Sequence, residues 1–138
     1  MSLPANPHTE FSWPLRVYWE DTDAGGIVFY ANYLRYFERA RTEWLRALGF
    51  EQSTLRQAHG GMFVVSEANL RYHAPARLDD ELFVTACLVE SGRASLTIRQ
   101  RALRQGALLC EASVRIGWVD ASSLRPARMP TLLLEAFS

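Results

Sequence analysis

The chain contains no lysine; all fifteen basic residues are arginine, set against fifteen acidic residues, and the formal net charge is zero. Without a lysine amine there is no Schiff-base nucleophile and no phosphate-loop lysine. Without a net positive charge there is no general attraction to nucleic acid or to an anionic membrane surface. Cysteine is scarce: Cys87 and Cys110 are the only two. Both lie in apolar runs, where a buried free thiol is the expected state rather than a disulfide. Neither has a second Cys or a His at zinc-ligand spacing. Long apolar runs are missing too, and none approaches the roughly 20 residues that span a bilayer. Residues 1–11 show no basic start followed by an apolar stretch, so no signal peptide is expected. Together these absences point to a soluble, cytoplasmic protein with no membrane span and no nucleic-acid partner.

What is present suffices for one folded domain. The chain has 138 residues, 49% of them hydrophobic, enough for a substantial core. Residues 1–12 are polar and carry Pro4 and Pro7, which predicts a loose leader ahead of a single domain over 13–138. Leu15–Glu20 suits a pleated surface and reads as a short strand. The clearest helix runs from Ala31 to Leu48, with Tyr33, Phe37, Ala40, Trp44 and Leu48 on one face and charged residues opposite. Asn32 is its expected N-cap, and Gly49 stands where a left-handed residue ends a helix. At 1.5 Å per residue the helix would be roughly 27 Å long, enough to cross a small sheet.

Beyond a linker containing Gly60 and Gly61, the sequence alternates. In Phe63–His73, Val64, Ala68, Leu70 and Tyr72 share one parity. Leu82, Val84, Ala86 and Leu88 follow in Glu81–Glu90, then a strand over Ala94–Leu103. Last come Leu108, Cys110, Ala112, Val114, Ile116 and Trp118, with Glu111, Ser113 and Arg115 on the other parity. Tight turns between strands demand antiparallel pairing, and a lone amphipathic helix has only the sheet to cover it. The expected class is α+β: an antiparallel sheet wrapped around one long central helix, with apolar residues 132–137 placed to cover an edge.

Chemistry concentrates in Glu20-Asp21-Thr22-Asp23-Ala24-Gly25-Gly26, directly ahead of the helix. Here a carboxylate stands near the free N–H groups of a helix N-terminus, which stabilise negative charge such as the oxyanion of acyl transfer. Acids before a helix are more often simple caps, worth on the order of 1 kcal/mol. Spacing alone favours that plainer role.

The longer run from Asp21 to Tyr33, followed by Phe37-Glu38-Arg39-Ala40-Arg41, resembles the signature of the 4-hydroxybenzoyl-CoA thioesterase family. Within that family it is most similar to the Tol-Pal system-associated acyl-CoA thioesterases, with agreement extending to Asn69-Leu70-Arg71-Tyr72 and Pro75. The resemblance implies a hot-dog fold, hydrolysis of an acyl-CoA or acyl-carrier-protein thioester without metal or cofactor, and active sites at a subunit interface of a homodimer or homotetramer. It makes Asp23 the catalytic carboxylate, as nucleophile or as general base, and the backbone N–H of Tyr30 the oxyanion donor. Many Tol-Pal-associated members carry His where Tyr30 stands, whereas hydroxybenzoyl-CoA enzymes carry Tyr; this bears on the substrate, short-chain or aromatic, more than on the reaction. The alternative is a non-catalytic hot-dog scaffold, associated with envelope or lipid metabolism, that binds acyl chains or proteins.

Other candidates weigh less. His8, His59 and His73 do not pair at ligand or triad spacing, and no His accompanies Asp23 as a hot-dog dehydratase requires. Arg71, Arg77, Arg93, Arg99 and Arg101 are candidates for CoA phosphates, though strand charges usually form a solvated face. Phe29 and Phe63 are candidates for an acyl pocket.

Overall fold

A computed structural model describes residues 6–138. The strands are β1 (Phe11–Arg16), β2 (Gly61–Tyr72), β3 (Glu81–Ser91), β4 (Ser95–Arg104) and β5 (Ala107–Asp120). The helices are α1 (Tyr33–Ala47), α2 (Gln52–His59) and α3 (Thr131–Ala136). All strand pairs are antiparallel, in the order β1-β3-β4-β5-β2. With α1 against one face, this is the expected hot-dog arrangement. No helix of the described residues is long and apolar enough to cross a membrane.

The core lies where the alternation put it. Leu82, Val84, Ala86 and Leu88 of β3 and the five alternating residues of β5 from Cys110 to Trp118 are all buried. Leu108 is only half-buried: a register shift against β4 between Ala102 and Leu103 puts Leu109 in the core instead. From α1 they receive Tyr33, Tyr36, Phe37, Ala40, Trp44 and Leu45. The buried stripe is therefore wider than expected: Tyr36 and Leu45 enter it, while Leu48 is only half-buried. One polar side chain sits inside it. Gln100 of β4 donates to the carbonyls of Phe37 (2.9 Å) and Thr85 (3.1 Å) and accepts from Arg41 (2.9 Å). A buried amide costs free energy unless bonded, so these contacts fix α1 in height over the sheet.

The helix ends differ from expectation in one respect. Gly49 adopts φ +96°, and the Gly49 and Phe50 N–H groups return to Arg46 and Leu45, the pattern of a Schellman stop. Asn32 does not cap. Its backbone is already helical, as the end of a 3-10 turn (Tyr30–Asn32), and its side chain is committed to Asp21.

Four other local readings are corrected. The first strand begins earlier than Leu15 and ends at Arg16; Trp19–Asp21 turns as a 3-10 segment because the Asp21 carboxylate takes the Tyr18 N–H. Pro14 is tolerated there because β1 is an edge strand. Part of the expected leader is thus strand; residues 1–5 lie outside the described residues, and Pro7 accepts a backbone bond from Leu88. The glycine linker contains α2, which buries only Leu55 and so carries almost no apolar period. In β2 a bulge at Ser66 shifts the register between Val65 and Glu67. Phe63 and Val65 then pair with Trp118 and Ile116, sharing the core-facing side of the sheet with Ala68, Leu70 and Tyr72, and Val64 faces outward. Finally, β2 and β3 are not hairpin neighbours. Residues 73–80 carry the chain from one side of the sheet to the other.

The C-terminal segment packs on α1: Phe137 meets Trp44 at 5.6 Å and Phe50 at 6.1 Å, and its carbonyl accepts from Ser91. At the start of β2, Gly61 lies flat against the buried Trp118 indole, where any Cβ would collide with the ring. Gly61→Ala should therefore cost about 1–3 kcal/mol through displacement of Trp118. A urea midpoint equal to wild type would show that the indole can move aside freely.

Candidate active site

The acidic run folds into two environments. Asp21 is 4% exposed; its carboxylate accepts the Tyr18 N–H at 2.8 Å and the Asn32 side-chain amide at 3.0 Å. Its carbonyl takes the N–H of Phe29 at 3.0 Å. Asp21 thus ties both ends of residues 29–32 to the strand exit. Tyr36 buries its hydroxyl beside this group without a hydrogen bond of its own, and burial, then the Asp21 charge, push its ionisation far above the ordinary range.

Asp23 is exposed. A bridge between Thr22 and Val28 closes the loop that carries it, reinforced by Asp23 N–H to Ile27 O at 2.8 Å. Gly26 takes φ +76° at the tip, and its N–H returns to the Asp23 carbonyl. The Asp23 Oδ1 accepts from the Gly25 N–H at 2.8 Å. No hydrogen bond from the described residues reaches Oδ2, which is left to face solvent. A loop carboxylate is therefore oriented through one oxygen and available through the other.

Tyr30 opens the 3-10 turn that leads into α1. The N–H groups of Val28, Phe29 and Asn32 go to the carbonyls of Ala76, Asp21 and Phe29. That of Tyr30 finds no acceptor among the described residues, as the first N–H of a helical segment should. The Tyr30 ring is 65% exposed. Asp23 and Tyr30 therefore share one short segment, with a free carboxylate oxygen near one end and a free donor at the other.

The crossing connection holds this segment from behind. Ala76 accepts the Val28 N–H at 2.8 Å, Arg77 bridges to Ile27, and the Ala76 N–H donates to the Tyr33 hydroxyl at 3.2 Å. The connection is itself fixed by Asp80, which accepts from the Arg77 N–H and from Arg104, each at 2.8 Å. Partial burial works against the Asp80 charge, but these two bonds and the nearby arginines outweigh it and hold the carboxyl below its ordinary 3.8.

Beyond the segment, a groove of about 390 Å³ runs along α1 from Leu34 to Leu45, walled by Phe63, Val65, Ala68, Val114 and Ile116. Of the two acyl-pocket candidates, Phe63 lines it and packs on Trp118 at 5.1 Å, while Phe29 packs at a tilt against Tyr30 at 4.8 Å. Among the arginines, Arg101 is committed to Glu10 in a two-bond pair, Arg77 adjoins the Asp23 loop, and Arg71 and Arg99 line a shallow depression with Glu111 and Ser113. The histidines stand elsewhere: His73 pairs with Glu111 at 3.2 Å, and His8 reaches Ser138. No three His, Cys, Asp or Glu side chains among the described residues gather as a metal site.

The family model of the thioesterase-like superfamily matches residues 17–137. The chain belongs to this superfamily. It is 43% identical over 127 residues to the acyl-CoA thioesterase YbgC of Haemophilus influenzae, covering 92% of this chain and 93% of that one. It is 42% identical over 130 residues to the acyl-CoA thioester hydrolase YbgC of Escherichia coli O6:H1, covering 94% and 96%. A probable thioesterase from Bartonella henselae superimposes with a TM-score of 0.85 at 30% identity, over 88% of this chain and all of that one.

Within this thioesterase-like fold, three contributors to the site escaped sequence reading: the burial of Asp21, the Asp80 anchor and Tyr72, whose hydroxyl donates to the Tyr30 carbonyl. Each depends on a partner distant in sequence or on burial that no local pattern encodes. The Asp80 anchor has a pH signature. A carboxyl held below its unfolded value stabilises the fold above that value and loses the contribution as pH falls through the folded one. Asp80→Asn should cost about 1 kcal/mol at pH 7 and less at an acid pH below the lowered folded value of the carboxyl. Urea midpoints at the two pH values check it; an equal cost at both would leave the charge without a role.

Proposed function

We propose that this chain is an acyl-CoA thioesterase in which Asp23 is the catalytic carboxylate and the Tyr30 N–H the oxyanion donor. The observation that carries this is the pairing, on one bridged segment, of an oriented carboxylate with a free oxygen and an unpaired helix-entry N–H. The thioester carbonyl oxygen would approach the N–H, and its carbon would face Asp23. Attack on that carbon, by the carboxylate or by a water it deprotonates, moves charge onto the carbonyl oxygen, where the N–H and the helix entry stabilise it. Collapse of the tetrahedral species expels the CoA thiolate. On the general-base route the thiolate takes the proton Asp23 removed from water. On the nucleophilic route water then hydrolyses the acyl-Asp23 anhydride, releasing the acid, the freed carboxylate and a proton for the thiolate. The donor belongs to the backbone, so its role does not depend on which side chain stands at position 30.

The groove along α1 starts at Leu34, one turn beyond Tyr30, and its volume and apolar walls suit a short-chain or aromatic acyl group. CoA and an acyl-carrier protein present the same thioester. The two buried unpaired thiols accord with a cytoplasmic setting.

The site is half-open, and a second copy would complete it. β2 is a long edge strand with Val65 and Tyr72 exposed, and it adjoins exposed Tyr30 and Leu34. A bare edge of this length with apolar neighbours calls for a partner strand. Light scattering should return a mass at least twice 15.7 kDa, as a dimer or tetramer; a monomer would overturn the shared site.

Thiol release from short, long and benzoyl-type acyl-CoAs tests the reaction. Asp23→Asn, with wild-type circular dichroism, should lose about a hundredfold or more in kcat. A folded wild type that hydrolyses none of the panel sinks acyl-CoA as substrate.

A further inference from the structure

Tyr72 is the last residue of β2, far from the helix entry in sequence but against Tyr30 and Tyr33 in space. Its hydroxyl donates to the carbonyl of Tyr30 at 2.8 Å. Its ring packs edge-on against Tyr30 (centroids 6.4 Å, 81°) and Tyr33 (5.6 Å, 69°). Tyr33 in turn accepts from Ala76, the residue whose carbonyl holds Val28. The tyrosines thus link the end of the edge strand, the helix entry and the crossing connection.

The backbone around Tyr30 is held from two directions. From below, Asp21 takes the Phe29 N–H and the Asn32 side chain. From the sheet, Tyr72 takes the Tyr30 carbonyl. The Asp21 contacts are buried and local, and serve the fold of the loop. The Tyr72 contact is different in kind: the residue is 47% exposed, so its hydroxyl would find water as readily as a carbonyl. The chain nevertheless directs it onto Tyr30, whose own N–H finds no acceptor among the described residues.

We propose that Tyr72 is a positioning residue for thioester hydrolysis, its hydroxyl fixing the Tyr30 carbonyl and, through the Tyr30 Cα, the preceding peptide whose N–H points at the oxyanion. This rests on the assignment of that N–H as the oxyanion donor. Stabilisation of a developing charge depends on a donor already in place before the reaction, and small misplacements weaken it steeply. A hydroxyl on the carbonyl side restrains the residue without competing for its N–H. Burial raises the Tyr72 ionisation, with Cys110, Tyr30 and Tyr33 adding to it, so the hydroxyl stays a donor at neutral pH.

Tyr72→Phe keeps the ring and removes the donor. On the acyl-CoA that wild type turns over best, kcat should fall about tenfold with KM changed less than twofold. Tm should stay within about 2–4 °C of wild type. Amide hydrogen exchange supplies a second readout: the Phe29 and Asn32 N–H groups should exchange faster in the variant. Unchanged kcat and exchange, in a chain that turns over normally before substitution, overturn the role of Tyr72 alone. A large loss of Tm assigns the hydroxyl to the fold and overturns it equally. A wild type without turnover removes the thioesterase reading, and this inference with it.

Discussion

A carboxylate taken out of water must be met by donors, and Asp21 is met by two from opposite sides, the Tyr18 N–H and the Asn32 amide. The rest of the site is built on that contact. It ends the first strand, because Tyr18 cannot both continue a ladder and bond Asp21. It removes Asn32 from capping, so α1 is entered through a 3-10 turn rather than a side-chain cap. And with the Asp21 carbonyl on Phe29, it leaves the Tyr30 N–H unconsumed among the described residues. Two acids separated by one threonine thereby take opposite parts: one is spent inside on geometry, the other stands outside with a free oxygen.

That inner clamp would be of little use on a mobile support. The crossing connection supplies the second side, through Ala76 on Val28 and the Asp80–Arg104 pair behind it, and Gln100 fixes α1 to the centre of the sheet. The hydrogen-bonded loop is thus clamped between three elements from different parts of the chain. A loop held this way can keep a carboxylate at a constant attitude, which general-base or nucleophilic chemistry requires.

How much of this was legible in the sequence follows from how local each signal is. Leu82 to Leu88 and Cys110 to Trp118 announce themselves because a period of two repeats within a few residues. Gly49 announces the end of α1 because the left-handed conformation it adopts disfavours other side chains. The motif around Asp23 was legible through resemblance, since a bare acidic cluster before a helix reads as well as a cap. Ser66 was not legible: a bulge adds one residue to one strand and reverses the parity of Val64 with no change in composition. Nor was α2, whose single buried Leu55 sets no period. The clamp partners stand at the end of β2 (Tyr72) and in the segment that crosses the sheet (Ala76 and Asp80), and a crossing is a property of pairing, which only the folded chain displays.

The same reasoning bears on why the site lies at an edge. Tyr72 ends β2, and β2 has a neighbour, β5, on one side only. A hydroxyl placed there sits between the sheet's unpaired border and the helix entry, so whatever settles on that border also settles the surroundings of Tyr30. A second copy laid along β2 would bury Val65 and shield the Tyr72–Tyr30 bond from water, and a hydrogen bond in a drier setting restrains its partners more firmly. Assembly and catalytic geometry would then be one problem rather than two: the edge strand on which a second copy would pair is also the strand proposed to steady the Tyr30 N–H as oxyanion donor.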